Sequence, residues 1–170
     1  MDVKMITYIQ SEHEFSRASH RGFWEIVRSY FTQRNAHLLS FNEVVAKFGA
    51  QPTIDRGLQD IPVKKVIGSA GGRCCGFTRH FLPRLHDRQS KERWRTIYTL
   101  AVTGQGFPPI EVYKVGEVYF VEDGHHRVSV ATYLNWKTIQ AYVTEIPLSV
   151  SSEAEFYECL NTTKDINWRN

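Results

Sequence analysis

The chain has 170 residues, 42% of them hydrophobic and 13% aromatic, enough apolar material for one packed domain with an appendage and too much for a disordered chain. Its formal charge of +3 permits an anionic ligand or partner without demanding one. No eighteen apolar residues run together and the N-terminal MDVKMITYIQSEHEF holds no long apolar core before a cleavage site, so neither membrane spanning nor secretion is expected and the cytoplasm is the default.

The first third reads as helix. Phe23, Ile26, Val27, Tyr30 and Phe31 recur at helical spacing, which predicts an amphipathic helix over residues 12–34 with that stripe on a core and Trp24 off it, toward a neighbour. Ser40 and Glu43 form a capping-box pattern, with Leu39 and Val44 placed as a hydrophobic staple. They start a second helix through Phe41, Val44, Val45 and Phe48 that Gly49 stops. Residues 51–57 turn polar and irregular, and Ile61–Ile67 reads as a strand running into Gly68-Ser69-Ala70-Gly71-Gly72-Arg73. A soft boundary falls near residue 58.

Cys74 and Cys75 are adjacent in that loop and Cys159 is distant, an odd set that fits a reducing compartment rather than a disulfide framework. No second Cys or His pair at zinc spacing accompanies the vicinal cysteines. Between Arg73 and Arg95, seven Lys or Arg face two acids, a local +5 that exceeds the charge of the whole chain. Such a cluster closes over nucleotide phosphates, tracks a nucleic-acid backbone, or is a solvated helix face.

Trp94, Ile97, Tyr98, Ala101 and Val102 predict a helix over residues 88–103, with Gly104 just past its end. Pro108-Pro109 breaks the chain. Ile110–Val115, a Gly116-Glu117 turn and Val118–Val121 then read as a hairpin. After Glu122-Asp123-Gly124-His125-His126-Arg127, Val128, Ala131 and Leu134 mark a short helix, and Ile139, Ala141 and Val143 alternate in a last strand. The tail from Pro147 holds one short helix and no motif.

A strand passing through Asp-Gly into a helix places unpaired backbone N–H groups at a sheet edge, an anion-binding geometry. Gly124 admits close approach, Arg127 offers a planar fork for phosphate oxygens, and His125 and His126 add donors. A solvated polar turn and a metal site of Asp123, His125 and His126 are the other readings. The second needs further ligands that spacing does not supply, so no metal is assigned.

On this order of elements, residues 59–146 resemble the ParB/sulfiredoxin superfamily, whose domain is also called ParB-like nuclease. The resemblance implies an α+β fold, a small mixed sheet flanked by helices, preceded by an N-terminal helical extension (1–58) and followed by a C-terminal tail (147–170). ParB-type partition proteins carry Gly-Glu-Arg-Arg at this turn and bind nucleotide phosphates there; Gly124 and Arg127 match. Sulfiredoxins carry Gly-Cys-His-Arg; His126 and Arg127 match, but His125 stands at the catalytic cysteine, which excludes sulfinic-acid reduction through that residue. Free-serine kinases of the same fold carry Asp-Gly-His-x-Arg, as Asp123, Gly124, His125 and Arg127 do. Pro108–Gly116 and Asp123–Arg127 also resemble a bacterial ParB-like group with Asp-Gly-His-His-Arg and no assigned activity.

The resemblance implies a nucleotide partner, ATP or CTP, with Mg²⁺ as companion ion and NTP hydrolysis or phosphoryl transfer as the reaction class. Gly124, His126, Arg127, Ser69 and Arg73 are then the phosphate-binding set, Asp123 orients a hydroxyl or the metal, and His125 is a second catalytic candidate. The alternative is a non-enzymatic DNA-associated regulator, or nuclease-family DNA-binding protein, touching DNA through residues 73–95. A scaffold that has lost ligand binding is a third reading. The N-terminal helices are candidates for homodimer formation.

Overall fold

The two apolar runs either side of Gly116 build the centre of the sheet. In the computed structural model, which describes residues 3–32, 35–48, 52–71, 76–84 and 88–162, they form the strands β4 (Ile110–Val115) and β5 (Val118–Asp123), paired antiparallel with Val115 opposite Val118. Gly116 supplies the positive φ, 58°, that the turn requires.

Among the described residues four more strands join them in a mixed sheet: β1 (Leu39–Ser40), β2 (Ile54–Pro62), β3 (Val66–Ser69) and β6 (Thr138–Ile146). The order across it is β1-β3-β5-β4-β6-β2. β1, β3 and β5 run parallel, as do β4 and β6, while β2 closes the far edge antiparallel to β6. The helices are α1 (Val3–Thr32), α2 (Phe41–Phe48), α3 (Arg88–Val102), α4 (His125–Tyr133) and α5 (Val150–Thr162). The protein is α+β, as expected.

Alternation along the central strands sorts their side chains to two cores. Tyr119 and Val121 join Val128 and Ala131 of α4 on one face, and Val118 and Phe120 join Phe156 and Leu160 of α5 with Phe41 and Val44 of α2 on the other. Being covered on both faces, β5 reads as an unbroken apolar run. A third cluster lies among the helices, where Phe15 of α1 and Val130 of α4 meet Trp94 of α3.

Upstream of β3 the structure departs from expectation. The stretch read as irregular begins β2, an edge strand whose mostly exposed residues include Asp55, Arg56, Gln59 and Asp60. A polar edge strand carries no apolar alternation for a pattern reading to find. The boundary expected near residue 58 falls inside β2, and the expected single strand Ile61–Ile67 is divided by a 3₁₀ turn at Val63–Lys65.

α1 is one long helix rather than a segment beginning at residue 12, and it buries Ser11, Phe15, Ala18, Ser19 and Gly22. The expected core stripe is turned the other way: Tyr30 and Phe31 are 84% and 80% exposed. Apart from Phe15 the face that packs is made of small residues, which give no hydrophobic signal, and at Gly22 it comes close to residues 78–83. At Gly22 an added Cβ would lie 2.8 Å from the Pro83 carbonyl oxygen. Gly49 lies outside the described residues.

Candidate phosphate site at the start of α4

β5 delivers Asp123 to the edge of the core, and the chain turns through Gly124 into α4. Gly124 has φ 106° and ψ 20°, and a Cβ there would lie 2.5 Å from Ile110 Cγ2. Both the conformation and the space exclude a side chain. The N-cap residue Gly124 supplies no side-chain cap, and the helical ladder of α4 begins with Val128 N–H donating to the Gly124 carbonyl at 3.0 Å. The backbone N–H groups of His125, His126 and Arg127 therefore form the first turn, ahead of the helical ladder and at the positive end of the helix dipole.

Arg127 is more committed than its motif suggested. Its guanidinium donates to the carbonyl oxygens of Pro108 and Pro109 and to the Asp123 carboxylate. It thereby ties the Pro-Pro turn to the start of α4. Asp123, with its side chain more than half exposed, stands at the same mouth and holds one end of that fork.

His125 and Ser69, separated by 56 residues, meet in the interior, with His125 Nε2 2.7 Å from Ser69 Oγ. Both are buried, and the imidazole lies among the rings of Phe77 and Phe81. The pair joins the end of β3 to the start of α4. Ala70 N–H donating to the Val121 carbonyl at 2.8 Å continues that seam. Gly71 begins the glycine loop beside the motif, where an added Cβ would lie 3.0 Å from the Glu122 carbonyl oxygen. His126 is half-buried, edge-on to Phe77. Arg73, Cys74 and Cys75 lie outside the described residues.

The start of α4 opens on a cleft of about 510 Å³ whose other wall is α3. That wall brings Gln89, Arg93 and Thr96 opposite Gly124, His126 and Arg127. Arg93 is exposed. It belonged to the basic count in the sequence, but only the packing of α3 on α4 separates it from its neighbours as a site residue. A more apolar cavity of about 390 Å³, lined by Leu39, Val66, Phe81 and Trp136 among others, shares no residue with this cleft.

Much of the basic segment is neutralised from a distance. Arg79 faces Glu25 at 3.7 Å, Lys91 bonds Glu12, and Arg95 lies 3.2 Å from Glu12 and 3.0 Å from Glu92. Tyr8 of α1 donates to the Glu92 carboxylate and stacks under the Arg95 guanidinium, 4.2 Å from its ring centre. That donation, opposed by desolvation and helped by Arg95, holds the Glu92 carboxyl below its usual range. Among the described residues no three His, Cys, Asp or Glu side chains group as a metal site, and no helix is long and apolar enough to cross a membrane.

Among solved structures, the chain is similar to a sulfiredoxin from Arabidopsis thaliana, with a TM-score of 0.37 and 17% identity over 64% of this chain and 97% of that one. No family model matches the sequence, and no curated protein matches it.

Proposed function

We propose that the cleft between α3 and the start of α4 binds the phosphates of a nucleotide, in the manner of a ParB/sulfiredoxin-like domain. The observation that carries this reading is the N-terminus of α4, entered through Gly124, whose φ of 106° and packing against Ile110 admit no side chain, with Arg93 across the cleft. Backbone donors, the helix dipole and two guanidinium groups favour an anion with several oxygens over a neutral ligand. ATP or CTP is the ligand class.

Asp123 fits one role for Mg²⁺. A lone exposed carboxylate at the mouth does not make a metal site of its own, but Mg²⁺ commonly takes one or two carboxylates and completes its shell with phosphate oxygens and water. Such an ion would screen the phosphates from Asp123 and supply charge stabilisation during hydrolysis or phosphoryl transfer. Asp123 would release Arg127 to the phosphates as it took the metal. His125, buried on Ser69, fits the role of holding β3 and α4 together better than that of a proton carrier exchanging with solvent.

Calorimetric titration with ATP, CTP and GTP, with and without Mg²⁺, tests the reading. Arg93→Ala removes an exposed cation and is expected to weaken nucleotide binding about tenfold with the melting temperature unchanged. Asp123→Asn removes a repelling charge and is expected to tighten binding without Mg²⁺ while abolishing the gain that Mg²⁺ confers. No binding of any nucleotide at millimolar concentration sinks the proposal.

The DNA-associated regulator is the competing reading, and exposed Arg88 and Arg93 are what favours it. Glu12 and Glu25 already occupy three of the cations it needs. A steep salt dependence of duplex affinity, with a slope reporting several phosphates, would favour it over the nucleotide site.

A further inference from the structure

The length of α1 is not explained by what it packs against. Its inner seam, Ser11, Phe15, Ala18 and Gly22, rests against the body of the protein, with Phe15 edge-on to Trp94. On the opposite side a second seam runs the length of the helix. Ile6 and Ile9 begin it, Phe23, Val27 and Tyr30 end it, and His13, Ser16 and His20 lie between. The steps alternate between three and four residues throughout, the spacing of a two-helix interface. All of these are exposed except Val27, which is half-buried.

Flanking this seam, Met5, Trp24 and Phe31 are exposed as well, and no Asp, Glu, Lys or Arg stands among these eleven positions. A solvated helix face is normally the charged one. At the exposures of Phe23 (50%), Trp24 (55%), Tyr30 and Phe31, with the aliphatic end added, the uncovered apolar area is roughly 800 Å². That is about one partner's share of a standard protein interface.

We propose that this face is covered by α1 of a second copy of the chain, the two helices lying antiparallel about a two-fold axis near residue 18. Antiparallel packing sets the aliphatic end of each helix against the aromatic end of the other, whereas parallel packing would crowd the large rings at one end. It also opposes the helix dipoles. In this register Ile6 meets Tyr30 of the second copy, Ile9 meets Val27, and His13 meets Phe23. Ser16 and His20 face one another at the axis; His20 Nε2 already accepts from Trp24 Nε1 at 3.1 Å, which leaves its Nδ1–H to donate to the Ser16 hydroxyl of the second copy. The polar centre of His13, Ser16 and His20 favours a protein partner over a lipid surface, which selects an uninterrupted apolar face.

Sedimentation equilibrium of the full chain tests this. The expected result is a dimer at micromolar concentration, and at least a hundredfold weaker association in Ile9→Glu and in Phe23→Glu, both changes at exposed positions that leave the circular dichroism spectrum and melting temperature of the monomer unaltered. Orientation is read by oxidising Ile6→Cys and Tyr30→Cys proteins, with the wild-type chain as baseline for the native cysteines. A mixed disulfide forms when the two are combined, and neither variant alone exceeds the baseline. A chain that stays monomeric at hundreds of micromolar, a dimer that survives both glutamates, or a monomer that binds anionic vesicles through this face overturns the proposal. Self-linking of each variant alone overturns the antiparallel arrangement.

Discussion

Gly124 is the residue on which the site turns. At φ 106°, with Ile110 filling the place of its Cβ, an alanine would bring both backbone strain and overlap with the central hairpin. Gly124→Ala is expected to cost about 2 kcal/mol or more, read as a fall of roughly 4–8 °C in melting temperature. The motif announced this glycine and the arginine three residues on. It did not announce that Arg127 would be anchored to the carbonyls of Pro108 and Pro109, because backbone acceptors leave no trace in residue identity. Replacing Arg127 by alanine therefore disturbs the turn as well as the site, and Arg93 is the cleaner probe of binding. Ser69 and His125 were each recognised in sequence, but their meeting depends on β3 lying beside β5, a pairing decided far along the chain.

At the scale of elements, α3 shows how much local pattern can carry. Its stripe predicted a helix over 88–103, and the helix is Arg88–Val102 with Gly104 at φ 74° beyond it. Trp94 is its keystone: fully buried, stacked on Tyr98, edge-on to Phe15 and Tyr133, and donating from Nε1 to Ser129 Oγ at 3.0 Å. Trp94→Ala should cost about 3–5 kcal/mol, seen as a lower urea midpoint, and would loosen the α3 wall of the cleft. α1 shows the opposite case. Its strongest apolar stripe points outward, while the inward face pairs Phe15 with the small residues Ser11, Ala18, Ser19 and Gly22, so amplitude of hydrophobicity misled where periodicity did not. β2 was missed for the complementary reason, since an exposed edge strand has little to bury.

Across the whole molecule, a set of tyrosines ties stability to alkaline pH. Tyr8 and Tyr113 are raised above the usual phenol range chiefly by donating to Glu92 and Glu122, and Tyr98, Tyr119, Tyr133 and Tyr157 chiefly by burial. Tyr133 is pushed up to about 12 by burial and by its bond to Glu14, which also links α4 to α1. A raised phenol holds its proton longer folded than unfolded, so the stability it contributes is complete below about pH 10 and is lost as pH rises toward 12. Denaturant midpoints measured from pH 8 to 12 should fall above pH 10, and Tyr133→Phe should flatten part of that fall.

The amino-acid sequence by itself determined the elements from residue 88 onward and the glycine-bounded turn into α4, because helix stripe, strand alternation and turn chemistry are all written within a few residues; the α+β class came from the resemblance that the order of those elements carries. Tertiary structure alone decided which side of α1 is covered and that Glu12 and Glu25 neutralise cations more than fifty residues away. It also decided that Arg93 faces the start of α4. Those outcomes depend on chain segments meeting across the fold, and a contact between distant segments is a property of the packed whole.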